Sequence, residues 1–107
     1  MPVGVLLTIA IASEVAATVS LRYSDGFSNA LPSAIVVIGY AISFFLLSLV
    51  LKELSVGTTY AIWAGAGTAA IALIGIVALG EPATAIKLAS IALIIGGVIG
   101  LNLSGAH

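Results

Sequence analysis

Four runs of about twenty apolar residues, separated by short polar stretches, constrain this chain more than any other feature. A helix of about twenty residues is about 30 Å long, which matches the hydrocarbon core of a bilayer. Hydrophobic residues fill 62% of the 107 positions and charged residues only 7%, whereas soluble domains carry about 25% charged residues. The sequence therefore predicts an all-α integral membrane protein with transmembrane helices at about 3–21, 32–51, 58–79 and 84–103.

Short polar stretches separate the four apolar runs. Asp25-Gly26 predicts a turn after the first run, Lys52-Glu53 closes the second, and Gly80-Glu81-Pro82 closes the third. A closed β-barrel is the other structure that can span a membrane, but it needs short alternating strands, and these runs do not alternate. We expect a single four-helix transmembrane domain over residues 1–107.

Composition also excludes several kinds of function. The net charge of -1 argues against nucleic-acid binding, which needs a basic surface. There is no cysteine and only one histidine, near the C-terminal end, so neither a metal site nor a catalytic nucleophile is expected. We predict no cofactor and no enzymatic activity.

The first apolar run, Val3 to Leu21, contains a carboxylate near its middle, Glu14. An ionisable residue at the centre of a spanning helix costs about 2.5–3.5 kcal/mol on insertion scales, so by default it marks a functional site. Glu14 could hold a proton, or release it and attract a cation. The alternative is a structural role, in which a protonated Glu14 joins two helices through a hydrogen bond.

Helical spacing places several residues on the same face as Glu14. Small side chains at some of these positions leave space beside the carboxylate. The candidate pocket residues on this face are Leu7, Ala10, Ile11, Ala17 and Thr18.

Aromatic residues of the second and third runs could complete a pocket for an organic cation, which aromatic faces attract. The candidates are Tyr40, Ser43, Phe44, Tyr60 and Trp63. Tyr60 could instead be an anchor at the membrane interface, and Ser43 and Phe44 could serve only to pack helices.

Small residues mark two further features. Gly65 and Gly67 in the third run could form a hinge, or could allow close helix packing. In the fourth run, Ser90 and Gly97 lie a heptad apart, and Gly96 and Gly100 form a GxxxG pair. Small residues favour close helix contacts, so we expect a dimer contact at Ser90, Gly96 and Gly97.

The charges in the loops indicate almost no preferred orientation of the protein in the membrane. Arg22 and Lys87 lie on one side of the membrane, and Lys52 and the α-amino group lie on the other. The positive-inside rule therefore leaves two alternatives, a single orientation set by other features or insertion in both orientations. Dual insertion would allow an antiparallel dimer, the equivalent of an inverted-repeat transporter with its site near the midplane.

The chain resembles the small multidrug resistance family over nearly its whole length. The resemblance rests on Ser13-Glu14-Val15, on the loop from Arg22 to Phe27, on Ala61-Ile62-Trp63 and on Gly65-Ala66-Gly67. Supporting matches are Ala10-Ile11, Leu31-Pro32-Ser33, Gly39-Tyr40, Ser43-Phe44 and Asn102-Leu103.

The resemblance implies a proton-coupled antiporter of hydrophobic cations in the bacterial inner membrane, working as an antiparallel homodimer. It implies that substrate and protons compete for Glu14, and that Tyr40, Tyr60 and Trp63 line the pocket. It also implies bending near Gly65 and a dimer contact along 90–97.

Two subtypes of the family are distinguished just after the glutamate. Guanidinium exporters usually have Trp at the position of Ala17, so the pair Ala17-Thr18 favours the quaternary-ammonium, multidrug subtype. Gly4 and Phe45 stand where aromatic Tyr and Trp are common, which leaves the substrate range open. The alternatives are a guanidinium exporter and a membrane scaffold that does not transport.

Overall fold

The computed structural model describes residues 2–104, which form helices that match the four apolar runs. These helices are α1 (Val3–Tyr23), α2 (Ala30–Val50), α3 (Val56–Ala78) and α4 (Ala85–Leu103). Each is long and apolar enough to cross a membrane, and residues 2–104 contain no β-strand. The predicted all-α membrane fold is confirmed, with every helix end within about two residues of its expected position.

The chain forms two compact units, Met1–Glu53 and Leu54–His107. The first unit contains α1 and α2, and the second contains α3 and α4. In each unit two helices joined by a short loop pack against each other, which makes an αα-hairpin. The arrangement of all four helices as a single domain stays a prediction.

In the first hairpin, α1 and α2 pack closely because Gly39 has no side chain. A Cβ atom built on Gly39 would lie 2.8 Å from the Ala17 Cβ and 3.1 Å from the Ser13 carbonyl oxygen. On the same interface the Ser43 hydroxyl donates a hydrogen bond of 2.7 Å to the Ala10 carbonyl oxygen. Residue 17 of α1 meets residue 39 of α2, and the earlier residue 10 meets the later residue 43, so the two helices are antiparallel.

The loop between α1 and α2 is a compact turn, as Asp25-Gly26 predicts. Asp25, Gly26 and Phe27 all have positive φ angles, of 48°, 65° and 66°. Only glycine adopts this conformation without steric cost. The fully buried Ser24 stabilises the turn, since its hydroxyl donates to the Leu21 carbonyl and accepts from the Phe27 N–H.

The second hairpin is joined by a capped turn. Gly80, with a φ of 70°, ends α3, and the Glu81 N–H donates to the Gly75 carbonyl at 3.0 Å. The Glu81 carboxylate lies over Gly75 and forms an ion pair of 3.3 Å with Lys87 at the start of α4. The Thr84 hydroxyl caps α4 by accepting from the Lys87 N–H.

Helix α4 is the least covered of the four. Only 6% of its most apolar 18-residue segment is buried, against 22% of the corresponding segment in each of the other helices. Ile91 is its one buried residue among those the structure describes in α4. A large apolar surface of α4 is therefore left for lipid or for another chain.

Candidate functional site

Glu14 lies in the middle of α1 and is half-buried. Its Oε1 atom accepts a hydrogen bond of 2.9 Å from the Thr18 hydroxyl, one helical turn further along. Residues four apart share a helix face, so the sequence correctly placed these two side chains together.

The Thr18 hydroxyl also contacts the second helix. Its Oγ1 atom lies 2.6 Å from the Tyr40 hydroxyl of α2. A threonine hydroxyl has a single proton. Since Thr18 donates that proton to Glu14, Tyr40 must donate to Thr18. The first hairpin thus contains a hydrogen-bonded chain that runs from Tyr40 through Thr18 to Glu14.

Three of the predicted pocket residues lie in the contact between α1 and α2. Ser43 is fully buried, and its hydroxyl is bonded to the backbone of Ala10, which is fully buried as well. Ala17 is fully buried opposite Gly39. These contacts agree with the helix-packing alternative for Ser43. A role of Ser43, Ala10 or Ala17 in lining a pocket stays a prediction.

The other candidates of the first hairpin differ in exposure. Leu7 is buried, Ile11 is half-buried, and Phe44 is 55% exposed. The Phe44 ring lies 6.4 Å from the Tyr40 ring, centroid to centroid, at a tilt of 34°. This contact extends the aromatic surface beside the Tyr40 hydroxyl.

The second hairpin carries a separate aromatic cluster near the start of α3. The rings of Tyr60 and Trp63 lie 5.6 Å apart in an edge-to-face arrangement, with Trp63 half-buried and Tyr60 61% exposed. Such a pair offers an aromatic face to a cation. The exposure of Tyr60 is equally compatible with the interfacial anchor considered above.

The glycines of α3 occupy an unbroken helix. Val56–Ala78 is helical throughout, including Gly65 and Gly67. A Cβ atom on Gly65 would lie 2.8 Å from the Val98 side chain of α4, so this glycine allows close packing within the second hairpin. Close packing was the alternative to a hinge in the sequence analysis. Bending at Gly65 and Gly67 stays a prediction.

The predicted dimer contact on α4 is open within the chain. Ser90, Gly96 and Gly97 are all exposed, and nothing lies within 4 Å of a Cβ atom built on either glycine. These residues are therefore not used to pack α4 against α3. They remain available for a contact with a second copy.

Sequence reasoning missed two residues. It assigned no role to Gly39. This glycine packs against Ala17 of the other helix, and that contact can be predicted only when the pairing of the two helices is known. It also overlooked Thr59, which is fully buried one turn before Trp63 and whose hydroxyl makes no hydrogen bond within the described chain. A buried hydroxyl without a partner is costly, so Thr59 is an uncommon feature of this aromatic region.

Comparisons with known proteins place most of the chain in one family. Residues 4–94 match the family described as Small Multidrug Resistance protein. A protein of Escherichia coli strain K12 named guanidinium exporter is 48% identical over 100 residues, which cover 94% of this chain and 95% of that protein. Guanidinium exporters of Yersinia pestis (44% identical, covering 94% and 96%) and Salmonella typhimurium strain LT2 (48%, covering 96% and 97%) are similarly related.

Proposed function

Because the chain belongs to the small multidrug resistance family and is a multi-pass transport protein of the bacterial inner membrane, we propose that it exchanges protons for small organic cations. One observation carries this proposal. Glu14 is the only Asp or Glu within the four helices that the structure describes, and it lies at mid-helix in a hydrogen-bonded chain. Ionisable residues inside membrane spans are rare and by default mark a functional site.

Transport would follow from competition at one carboxylate. Protons from outside would load Glu14, and a cytoplasmic cation would displace them when the site faces inward. Since one carboxylate cannot hold a proton and pair fully with a cation, each ligand weakens the binding of the other. In a dimer with two Glu14 residues, exchanging two protons for one monovalent cation would carry one net charge, worth about 2.3 kcal/mol per 100 mV.

The substrate class that we favour is a guanidinium-type cation. The support is the group of relatives at 44–48% identity, which are named guanidinium exporters. The chemistry is compatible, because a planar guanidinium group donates paired hydrogen bonds to a carboxylate. The Oε1 atom of Glu14 accepts one hydrogen bond from Thr18, which leaves a second lone pair on Oε1 and both on Oε2 for such a donor.

A quaternary-ammonium cation is the second candidate, and the packing of Ala17 favours it. Ala17 stands where the family resemblance places a tryptophan in guanidinium exporters. It is fully buried, and its Cβ faces Gly39. A tryptophan would not fit there without separating α1 from α2. A quaternary ammonium needs aromatic faces rather than hydrogen-bond acceptors, and Tyr60 and Trp63 offer them.

Transport currents distinguish the two classes. We expect the full-length protein, reconstituted in liposomes under a pH gradient, to give a larger current with guanidinium than with tetrapropylammonium at equal concentration. Protein-free liposomes provide the background. The reverse order would establish the second candidate. Proton-coupled export would be refuted if neither cation moved protons, as followed by a pH indicator inside the liposomes.

The working unit that we propose is an antiparallel homodimer with its contact on α4. The support is the exposure of Ser90, Gly96 and Gly97 together with the small buried fraction of α4. Small residues let two helices approach closely in a membrane, where packing drives association. A second copy would bring a second Glu14 to the assembly.

Replacing a small residue of this face should weaken the dimer without disturbing the monomer. We expect Gly97→Val to reduce crosslinking between copies several-fold, because two branched side chains would separate the helices. Nothing lies within 4 Å of the new Cβ inside the chain, so folding should persist. Gly57→Val, the same change at an exposed glycine of α3 with nothing within 4 Å of a Cβ atom, is the matched control. Equal crosslinking by both variants would rule out this contact.

A further inference from the structure

The hydrogen-bonded chain in the first hairpin has two possible directions. In the direction described above, Tyr40 donates to Thr18 and Thr18 donates to Glu14. An ionised Glu14 permits only this direction, because a carboxylate only accepts hydrogen bonds. The phenol oxygen of Tyr40 then has its proton turned toward Thr18 and its lone pairs free for another donor.

Protonation of Glu14 permits the opposite direction. A carboxylic acid has an O–H group and can donate to the Thr18 oxygen. Thr18 then turns its own hydrogen to the Tyr40 oxygen, and Tyr40 turns its hydrogen away to another acceptor. One proton enters from solution and binds Glu14. The two hydroxyl hydrogens rotate, and no O–H bond of Thr18 or Tyr40 breaks.

We propose that the Glu14–Thr18–Tyr40 chain reverses direction when Glu14 is protonated, and that Tyr40 is therefore the better acceptor for a cation's N–H group when Glu14 is ionised, since both of its lone pairs are then free. Thr18 is the positioning residue that relays the state of Glu14 to Tyr40. The inference rests on the proposed function, since it assigns substrate selection to the same site.

The immediate surroundings of Glu14 contain few groups that could override this relay. On α2, which packs against α1, Tyr40 is the only ionisable side chain between 30 and 50. On α1 itself the others are Arg22 and Tyr23, at least eight residues beyond Glu14, which is about 12 Å along the helix axis. Within the first hairpin, Tyr40 is thus the group that responds to Glu14 through hydrogen bonds.

The consequence is a selection between two chemical classes of cation. Guanidinium and tertiary ammonium ions carry N–H donors and gain a hydrogen bond when Tyr40 accepts. Quaternary ammonium ions have no such donor and gain nothing from it. The hydrogen-bonded chain would therefore strengthen the binding of N–H-bearing cations when Glu14 is ionised. It would weaken their binding when Glu14 is protonated, because Thr18 then donates to the Tyr40 oxygen.

Binding of three cations to variants of the full-length protein tests this relay. The probes are guanidinium, tripropylammonium, which has one N–H, and tetrapropylammonium, which has none and is similar in bulk. Isothermal titration calorimetry measures the affinity for each cation without an optical probe. Thr18→Val removes the hydroxyl at nearly constant shape, Thr18→Ser keeps the hydroxyl, and Tyr40→Phe removes the acceptor.

We expect Tyr40→Phe to weaken binding of the N–H-bearing cations about tenfold, the value of one hydrogen bond to a charged group. Thr18→Val should weaken it less, because Tyr40 keeps its acceptor oxygen and loses only the neighbour that orients its hydrogen. Binding of tetrapropylammonium should change by less than about twofold, since it makes no such bond. Thr18→Ser should behave like the unaltered protein. A purely structural defect would weaken the binding of all three cations together. It would therefore leave unchanged the ratio of the affinity for tripropylammonium to the affinity for tetrapropylammonium.

Two results would overturn the relay. One is a uniform loss of affinity for all three cations in Thr18→Val, and the other is an unchanged ratio in both Thr18→Val and Tyr40→Phe. Failure of the proposed function is a different outcome, in which the unaltered protein releases no proton on binding any of the cations. If it binds only ammonium ions, the tripropylammonium to tetrapropylammonium ratio still decides the inference.

Discussion

Glu14→Gln is expected to abolish the exchange of cations for protons, with transport currents reduced to the level of protein-free liposomes. Glutamine has the shape of glutamate, and its amide oxygen can still accept from the Thr18 hydroxyl. It carries no charge and does not bind a proton, so both competing ligands lose their site. The release of protons on cation binding, measured in weakly buffered detergent solution, should disappear as well.

Glu53→Gln provides the matched control for this variant. It makes the same chemical change at an exposed carboxylate in the turn after α2. Currents and proton release should stay close to those of the unaltered protein. If Glu14→Gln still exchanged protons for a cation, the central role of this carboxylate would be refuted.

Gly39→Ala is expected to destabilise the first hairpin, although alanine is the better helix former. The new Cβ would lie 2.8 Å from the Ala17 Cβ and 3.1 Å from the Ser13 carbonyl oxygen. Neither atom is at the end of a flexible side chain, so the helices must separate. Overpacking of this kind costs about 1–3 kcal/mol. The thermal unfolding midpoint in detergent should fall accordingly, and the separation should also lengthen the Thr18–Tyr40 contact.

Gly4→Ala tests whether the effect comes from packing. Nothing lies within 4 Å of a Cβ atom at Gly4, which is also in α1. Helix propensity alone favours alanine over glycine by up to about 1 kcal/mol. We therefore expect an unchanged or slightly raised unfolding midpoint. A similar decrease in both variants would contradict the close approach at Gly39.

Local periodicity and chemistry were sufficient to predict several features. Glu14 and Thr18 lie four residues apart, so a single helix brings their side chains together, and the structure shows that contact. The turn at Asp25-Gly26 is equally local. Ser43 differs, because its own helix does not indicate which group its hydroxyl will meet, and the structure pairs it with the Ala10 backbone.

The sequence by itself determined the membrane class and the four helices, and it located the carboxylate proposed for the site, since apolar length and the cost of a charge in lipid are properties of single segments. Only the tertiary structure decided that Tyr40 reaches Thr18 and that Ala17 lies against Gly39. Those contacts depend on how far α2 is shifted along α1. That shift is determined by where small residues of two helices meet, which neither helix specifies alone.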